Sequence, residues 1–327
     1  IVGVVTESKS GRKAILAKTV VDVSGDADIA ARAGAPTVMG RESDGLVQPV
    51  SNSFRLSGVD VRAIRKYGDE HPEDRYFDSY VAKARAAGDL TIQRRRIMYH
   101  GFNEDTGELT GINVTRVQRV DPTNVRDLTQ AEVTLREQVF QVKDFLRKYV
   151  PGFEKVEVAA ISTQLAPRES RRVIGGYVLK EDDLKKGARF PDVVAVAPCF
   201  VDLHDPVGDA TFWIYPGNVK PDKETKVSLH AYTIMADATT YDIPYRTLVP
   251  NDIENLLVAG RCISAEHIIV GSVRYLPISF ATGQAAGTAA ALAARQNKTP
   301  RDVDVALLQK TLSDQGAYLG EAATARV

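Results

Sequence analysis

His204 and Asp205 stand side by side in Leu203-His204-Asp205-Pro206. An imidazole there could take or give a proton, with the neighbouring carboxylate orienting it. The pair also fits a loop histidine that caps the turn before Pro206. Arg168 and Arg171, in Arg168-Glu169-Ser170-Arg171-Arg172, could hold a substrate carboxylate through forked donor pairs. Each taken singly fits a surface salt-bridge cluster equally well. Arg246 and Arg274 are further candidates for binding an anion. Tyr245 and Tyr275 beside them could line a pocket, although aromatic filler is the commoner role for a tyrosine.

Other chemistries find little support. Cys199 and Cys262 are the only cysteines and form no CxxC pair, so neither a zinc site nor a redox dithiol is expected. The histidines are scattered, without HExxH spacing, and no protein-ligated metal is expected. A hydrolase or lyase using His204, Asp205 and a serine is an alternative, but there is no GxSxG nucleophile elbow. Lys plus Arg and Asp plus Glu number 42 each, a balance that argues against a surface dedicated to nucleic acid. The cluster Gln93-Arg94-Arg95-Arg96 then reads as a solvated loop or strand end. The apolar run at 276–294 approaches membrane-spanning length, but Thr282, Gln284 and Thr288 interrupt it. A buried helix in a protein that meets neither membrane nor nucleic acid is the better reading.

The elements that must position these groups follow from periodicity and punctuation. Residues 2–7 and 13–18 read as two short strands around the turn signal Ser8-Lys9-Ser10-Gly11. VVDVSG at 20–25 is an apolar run ending in glycine, which suits a buried parallel strand. A short helix should follow from Asp26 and stop at Gly34. GFNEDTGELTGINVTRVQRV at 101–120 predicts a β-hairpin around Asp105-Thr106-Gly107. Thr129-Gln-Ala-Glu132 reads as a capping box, opening a helix that runs to Tyr149 before Pro151-Gly152. NLLVAG at 255–260 is a second glycine-closed strand. Pro277 then suits the first turn of a long small-residue helix carrying Gly283-Gln-Ala-Ala-Gly287. Similar patterns at both ends around a mixed, more charged middle predict a discontinuous nucleotide-binding domain. Its parts would be residues 1–40 and 244–327, with a mixed α+β substrate domain inserted at 41–243.

VVDVSGDADIAARAGAP at 20–36 resembles the strand-to-glycine segment of glutathione-reductase-like flavoproteins, with Val23 and Ser24 where Ala and Thr are usual. The segment 248–293, LVPNDIENLLVAGRCISAEHIIVGSVRYLPISFATGQAAGTAAALA, resembles the flavin-contact segment of the FAD-dependent oxidoreductase family. APRESRRVIGGYVLKEDDL at 166–184, VDLHDP at 201–206 and YDIPYRTLVP at 241–250 are similar to the same family, so the resemblance spans nearly the whole chain.

The resemblance implies an α/β fold with a partial Rossmann-like FAD domain of the glutathione-reductase type. It implies FAD as cofactor and hydride transfer between flavin N5 and a small organic, anionic substrate. Gly25, Asp26, Gly260 and Arg261 would meet the cofactor at two strand ends. The helix from Pro277, with Gly283, Gln284 and Gly287, would lie beside the isoalloxazine with its positive dipole end towards the flavin. His204 would be the acid/base, and Arg168, Arg171 or Arg274 would clamp the anion. The GxGxxG that such families place on the FAD pyrophosphate has no counterpart here. The expectation is that this unit precedes Ile1 or comes from another chain, and that FAD affinity without it is weak. A non-catalytic or cofactor-free fragment of such a flavoprotein is the alternative this leaves. A cytoplasmic location is the default, since a signal peptide would lie upstream.

Overall fold

In a computed structural model, residues 1–218 and 233–320 are described. These residues form a mixed α/β fold of six small sheets and eight α-helices. The expected opening hairpin is present, Gly3–Ser8 against Gly11–Leu16 in antiparallel register. The two glycine-closed runs meet. Val20–Asp22 and Leu256–Val258 pair in parallel, Leu256 opposite Val20, joining segments from opposite ends of the chain. This is one of two parallel pairings among the described residues; the largest sheet, with four strands, is antiparallel.

The long helix Leu276–Gln296 lies across this parallel pair. Pro277 falls in its first turn, and Asn297, in the left-handed region at φ 53, closes it. It is buried through Ile278, Thr282, Ala285, Ala286, Ala289 and Ala293. Gly283 and Gly287 were expected to let the helix pack closely on the sheet or on the cofactor, and the sheet contact is not theirs. A Cβ added at either position would meet nothing within 4 Å, so neither glycine makes the sheet contact. The alanines sit at helical spacing on the sheet face, and their short side chains already allow close approach. No described helix is long and apolar enough to cross a membrane.

Two large hydrophobic cores divide the described residues, with a small third cluster around Val50, Leu135 and Leu165. The first joins Val20–Ala35 to residues from Val173 to Leu319, and the second lies within Phe54–Val156. The 41–243 stretch, expected to form one inserted unit, contributes to both: Val173, Leu179, Ala195, Val201, Ile214 and Tyr241 are buried in the first core. The second core holds the four-stranded sheet of Met98–Asn103, Glu108–Asn113, Phe54–Ser57 and Glu157–Ile161 under the helix Val125–Tyr149. The first two strands are the predicted hairpin, with residues 104–107 as its turn.

That helix starts before the expected Thr129. Asn124 is its cap, accepting from Arg126 N at 2.9 Å. Thr129 lies inside the first turns, where its hydroxyl donates to Val125 O at 2.7 Å. Glu132 turns away to accept from Leu165 N at 2.8 Å and to pair with Arg136. The helix therefore begins at the asparagine five residues before Thr129.

A third sheet is the one that matters for chemistry. Val201–His204 runs antiparallel to Thr211–Tyr215, which runs parallel to Thr233–Met235. It leans on the first core through Val201 and Ile214 and faces the second core across a cavity.

Candidate active site

The first half of the site is made of backbone. Asp22, buried at its strand end, accepts from Ser24 N at 3.0 Å, Ser24 Oγ at 2.7 Å and Ala30 N at 2.8 Å. These three bonds fix the loop after the strand, which turns through Gly25 at φ 81. A side chain there would be strained, and its Cβ would stand 2.5 Å from Arg261 Nη2. Gly260, at φ 76, ends the partner strand and donates its N–H to Thr282 Oγ1 on the long helix at 3.2 Å. Between the strand ends Val23, Ser24, Gly25, Ala259, Gly260, Arg261 and Ser279 enclose a cleft of about 270 Å³.

Arg261 Nη2 lies 3.2 Å from Asp26 Oδ1. Neither Arg261 Nη1 nor Asp26 Oδ1 has a hydrogen-bond partner, although both are buried. The helix beginning at Leu276 has no side-chain cap, so its first N–H groups also lack a side-chain acceptor. Gly283 and Gly287 continue the row of Ser279 at one-turn spacing along the helix, and that row is open beyond the cleft. Gln284 is exposed and donates to Gln315 Oε1 at 3.1 Å, outside the cleft lining. Pro277 is exposed in the first turn.

Arg171 belongs to this half. Its Nε donates to Asp26 O at 2.8 Å and its guanidinium pairs with Asp28. Of the proposed anion clamps it is therefore the one that braces the cofactor loop. Cys262, beside Gly260, is buried with its thiol pushed up to about 12 by burial, first of all, and by Asp22. Burial likewise raises Cys199 to about 11, so neither thiol is poised as a nucleophile.

The second half is made of side chains. Strand pairing sets Asp202 opposite Trp213 and His204 opposite Thr211. One sheet face therefore carries Asp202, His204, Thr211, Trp213 and Tyr215. Across a cavity of about 380 Å³, the second core supplies Asn113, His100, Met98, Tyr76 and the Arg94–Arg96 run. Arg94 Nη1 is 3.3 Å from His204 Nδ1, and Thr211 Oγ1 is 3.2 Å from the same nitrogen. A guanidinium can only donate, so Nδ1 must accept and the imidazole proton sits on Nε2. Nε2 lies 3.5 Å from Asp202 Oδ1. Asp202 also accepts from Arg274 Nη2 at 3.0 Å and from Tyr275 OH at 3.3 Å.

Four guanidiniums thus crowd one imidazole. Burial, then Arg168, Arg94, Arg116 and Arg274, hold the His204 pKa well below its ordinary value, so the ring is neutral at pH 7. The arginines feel the same surplus. Burial and then Arg274 and Arg94 pull Arg168 down to about 9, and burial and then Arg94 pull Arg116 down to about 10. Arg168 donates to Pro49 O at 2.7 Å and Asn113 Oδ1 at 3.4 Å, and Arg116 to Asp205 O at 3.0 Å. Among the described residues no carboxylate pairs with Arg94, Arg116 or Arg168.

His204, Arg168 and Arg274 are thus brought together, and the expected orienting role of Asp205 is corrected to Asp202. The Asp205 carboxylate accepts from Val207 N at 3.0 Å and lies 3.6 Å from Arg41. The alternation of a strand carries that signal: 202 and 204 share a face, whereas 205 lies past the strand end. Arg94 had been read as solvated, and no local pattern sets it apart from any loop arginine. Arg246 is bound elsewhere, pairing with Asp192 at 2.8 Å and stacking on Tyr177. Tyr245 is buried and donates to Pro300 O at 2.7 Å. No serine hydrogen-bonds His204 among the described residues, and no group of His, Cys, Asp and Glu there could hold a metal.

A glycine-bounded cleft at paired parallel strand ends is where α/β folds place a nucleotide cofactor, and here an arginine-lined pocket lies beside it. The family described as FAD dependent oxidoreductase matches residues 1–312, and the chain belongs to that family. No curated protein and no solved structure matches it at a significant level. The family binds FAD, and the cleft fits part of such a group. Gly25 and Gly260 border it without side chains, Arg261 Nη1 is a buried donor without a hydrogen-bond partner, and Asp26 Oδ1, ion-paired with Arg261 Nη2 at 3.2 Å, makes no hydrogen bond.

Proposed function

We propose that the protein passes a hydride between a carbon of a small anionic organic molecule and N5 of bound FAD. One observation carries this reading: Arg94, Arg116, Arg168 and Arg274 converge on His204 and Asp202 next to the helix that borders the glycine cleft. Arg274 and Tyr275 immediately precede that helix, and Ser279 lines the cleft from its first turn. At 1.5 Å per residue, only about 6 Å of helix axis separates residues 275 and 279.

FAD, when bound, supplies the two-electron chemistry. Gly25, Asp26, Gly260 and Arg261 would hold it. Everything else falls to side chains of the pocket. The guanidiniums without carboxylate partners attract and orient the substrate anion. With the pocket empty, their field keeps His204 neutral and a poor base. An anion entering the pocket offsets that field and competes for Arg94, which now occupies Nδ1. His204 then becomes basic enough to take the substrate proton, with Asp202 beside Nε2 stabilising the imidazolium. Proton uptake is thereby tied to substrate binding.

Titrating the purified protein with FAD tests the cofactor half. Flavin should stay with the protein through gel filtration, with perturbed visible absorbance. Flavin that elutes free at every concentration would contradict the reading.

A further inference from the structure

The reading just given leaves the anion's class open, and the pocket walls narrow it. Trp213 and Tyr215 alternate onto one face of their strand and stack with ring centroids 6.0 Å apart at 24°. They form a flat apolar wall. Apart from Tyr76 and Met98 the remaining lining is polar, with Asn113, Asp202, Asp209 and Thr211 beside the arginines. An ionised carboxylate only accepts hydrogen bonds, so Asp202 and Asp209 call for donors on the ligand. Asp202 Oδ1 is buried and makes no hydrogen bond, with His204 Nε2 3.5 Å away. Arginine only donates, so Arg94 calls for an acceptor, and its lack of a carboxylate partner calls for a charged one.

These demands exclude the simpler acids. A flat aromatic acid would satisfy Trp213 and Tyr215 but would offer no donor to Asp209 or to the remaining lone pairs of Asp202. A short dicarboxylate would satisfy the arginines but would bring a second negative charge to Asp202 and Asp209 and leave the aromatic wall uncovered. A saturated ring with an apolar C–H face, a rim of hydroxyls and one carboxylate meets all three walls. A volume of about 380 Å³ suits a small ligand of that kind.

We propose that the cavity between the Trp213–Tyr215 wall, Asp202 and Arg94 binds a sugar acid, its ring on the aromatic wall, its hydroxyls on Asp202 and its carboxylate on Arg94. This rests on the functional reading above but is tested apart from it. Trp213 is the chain's one tryptophan, so its fluorescence reports this pocket directly. D-glucuronate, D-galacturonate, D-glucose, benzoate and succinate are titrated into the full chain with and without FAD.

The uronates should shift Trp213 emission saturably and bind roughly tenfold or more tighter than glucose, benzoate or succinate. Asp202→Asn should weaken uronate binding while benzoate binding stays put; calorimetry gives the same ranking without the fluorophore, and circular dichroism checks the fold. Tighter binding of benzoate or succinate overturns the sugar-acid class and leaves the anion pocket standing. Binding of glucose as tight as the uronates overturns the role of Arg94. Binding of no acid, with FAD retained, overturns both the sugar acid and the anion pocket but not the flavoprotein.

Discussion

The two halves of the site are built from different materials. The cofactor cleft is backbone: two glycine-ended strands from opposite ends of the chain, fixed by Asp22 and bordered by one helix. The substrate pocket is side chains, gathered from a loop at 94–96, strands around 98–113, Arg168, and the sheet carrying Asp202 and His204. Backbone geometry demands particular residues at particular positions, because only glycine tolerates φ near 80° at low cost. A charged pocket demands only that charges meet in space, and many sequences achieve that. In the proposed reading the cleft holds the cofactor and the pocket selects the substrate.

Substitutions in one half should leave the other intact. The largest effect is expected for His204→Gln, which should slow reduction of bound FAD by the organic substrate about 10²–10⁴-fold while FAD affinity holds. Anaerobic stopped-flow absorbance measures it, and an unchanged rate removes His204 from the proton transfer. Gly25→Val should do the reverse. It forces a β-branched residue to positive φ, against Arg261, and should weaken FAD binding roughly tenfold or more while ligand-induced Trp213 fluorescence survives. Loss of both signals together would mean that the halves are one cooperative unit.

The cleft was legible because backbone geometry restricts residue type. VVDVSG and NLLVAG could be read as strands because buried parallel strands are continuous apolar runs and glycine marks where they end, whereas their pairing with each other comes from the structure. The pocket was legible only in fragments. His204 and Arg168 stand out as residue types, but adjacency in sequence points to Asp205, whereas strand alternation at 201–204 puts Asp202 on the face of His204. Arg94 and Trp213 gave no warning, since nothing local says that a loop and a strand edge more than a hundred residues apart will face each other. Gly283 and Gly287 taught the opposite lesson. A conspicuous GxxxG lies on the open face, and plain alanines make the packing.

A pH effect should separate the halves more gently. The folded-state pKa of His204 lies below the imidazole's ordinary value of 6.5. Below that pH the unfolded chain binds a proton that the folded chain refuses. Stability contributed by His204 is therefore complete above about pH 6.5 and lost progressively as pH falls. Arg94, Arg116, Arg168 and Arg274 face the ring and cause the shift, so His204→Gln should flatten the pH dependence of the melting temperature between neutral and mildly acid conditions. An identical slope in both proteins would assign it elsewhere. The smallest effect is expected for Gly283→Ala. With open space around the added methyl, helix propensity should stabilise the fold by about 1 kcal/mol at most, read by denaturant titration.

The central claim is that an anion in the pocket turns His204 from a neutral ring into a base. NMR titration of the histidine ring protons tests it most directly, with His204→Gln assigning the resonance among the chain's 5 histidines. Without ligand, His204 should stay neutral well below pH 6.5; with saturating D-glucuronate its pKa should rise towards neutrality. A His204 that titrates at the ordinary imidazole value without ligand, or whose pKa does not move when the pocket is filled, would contradict the account.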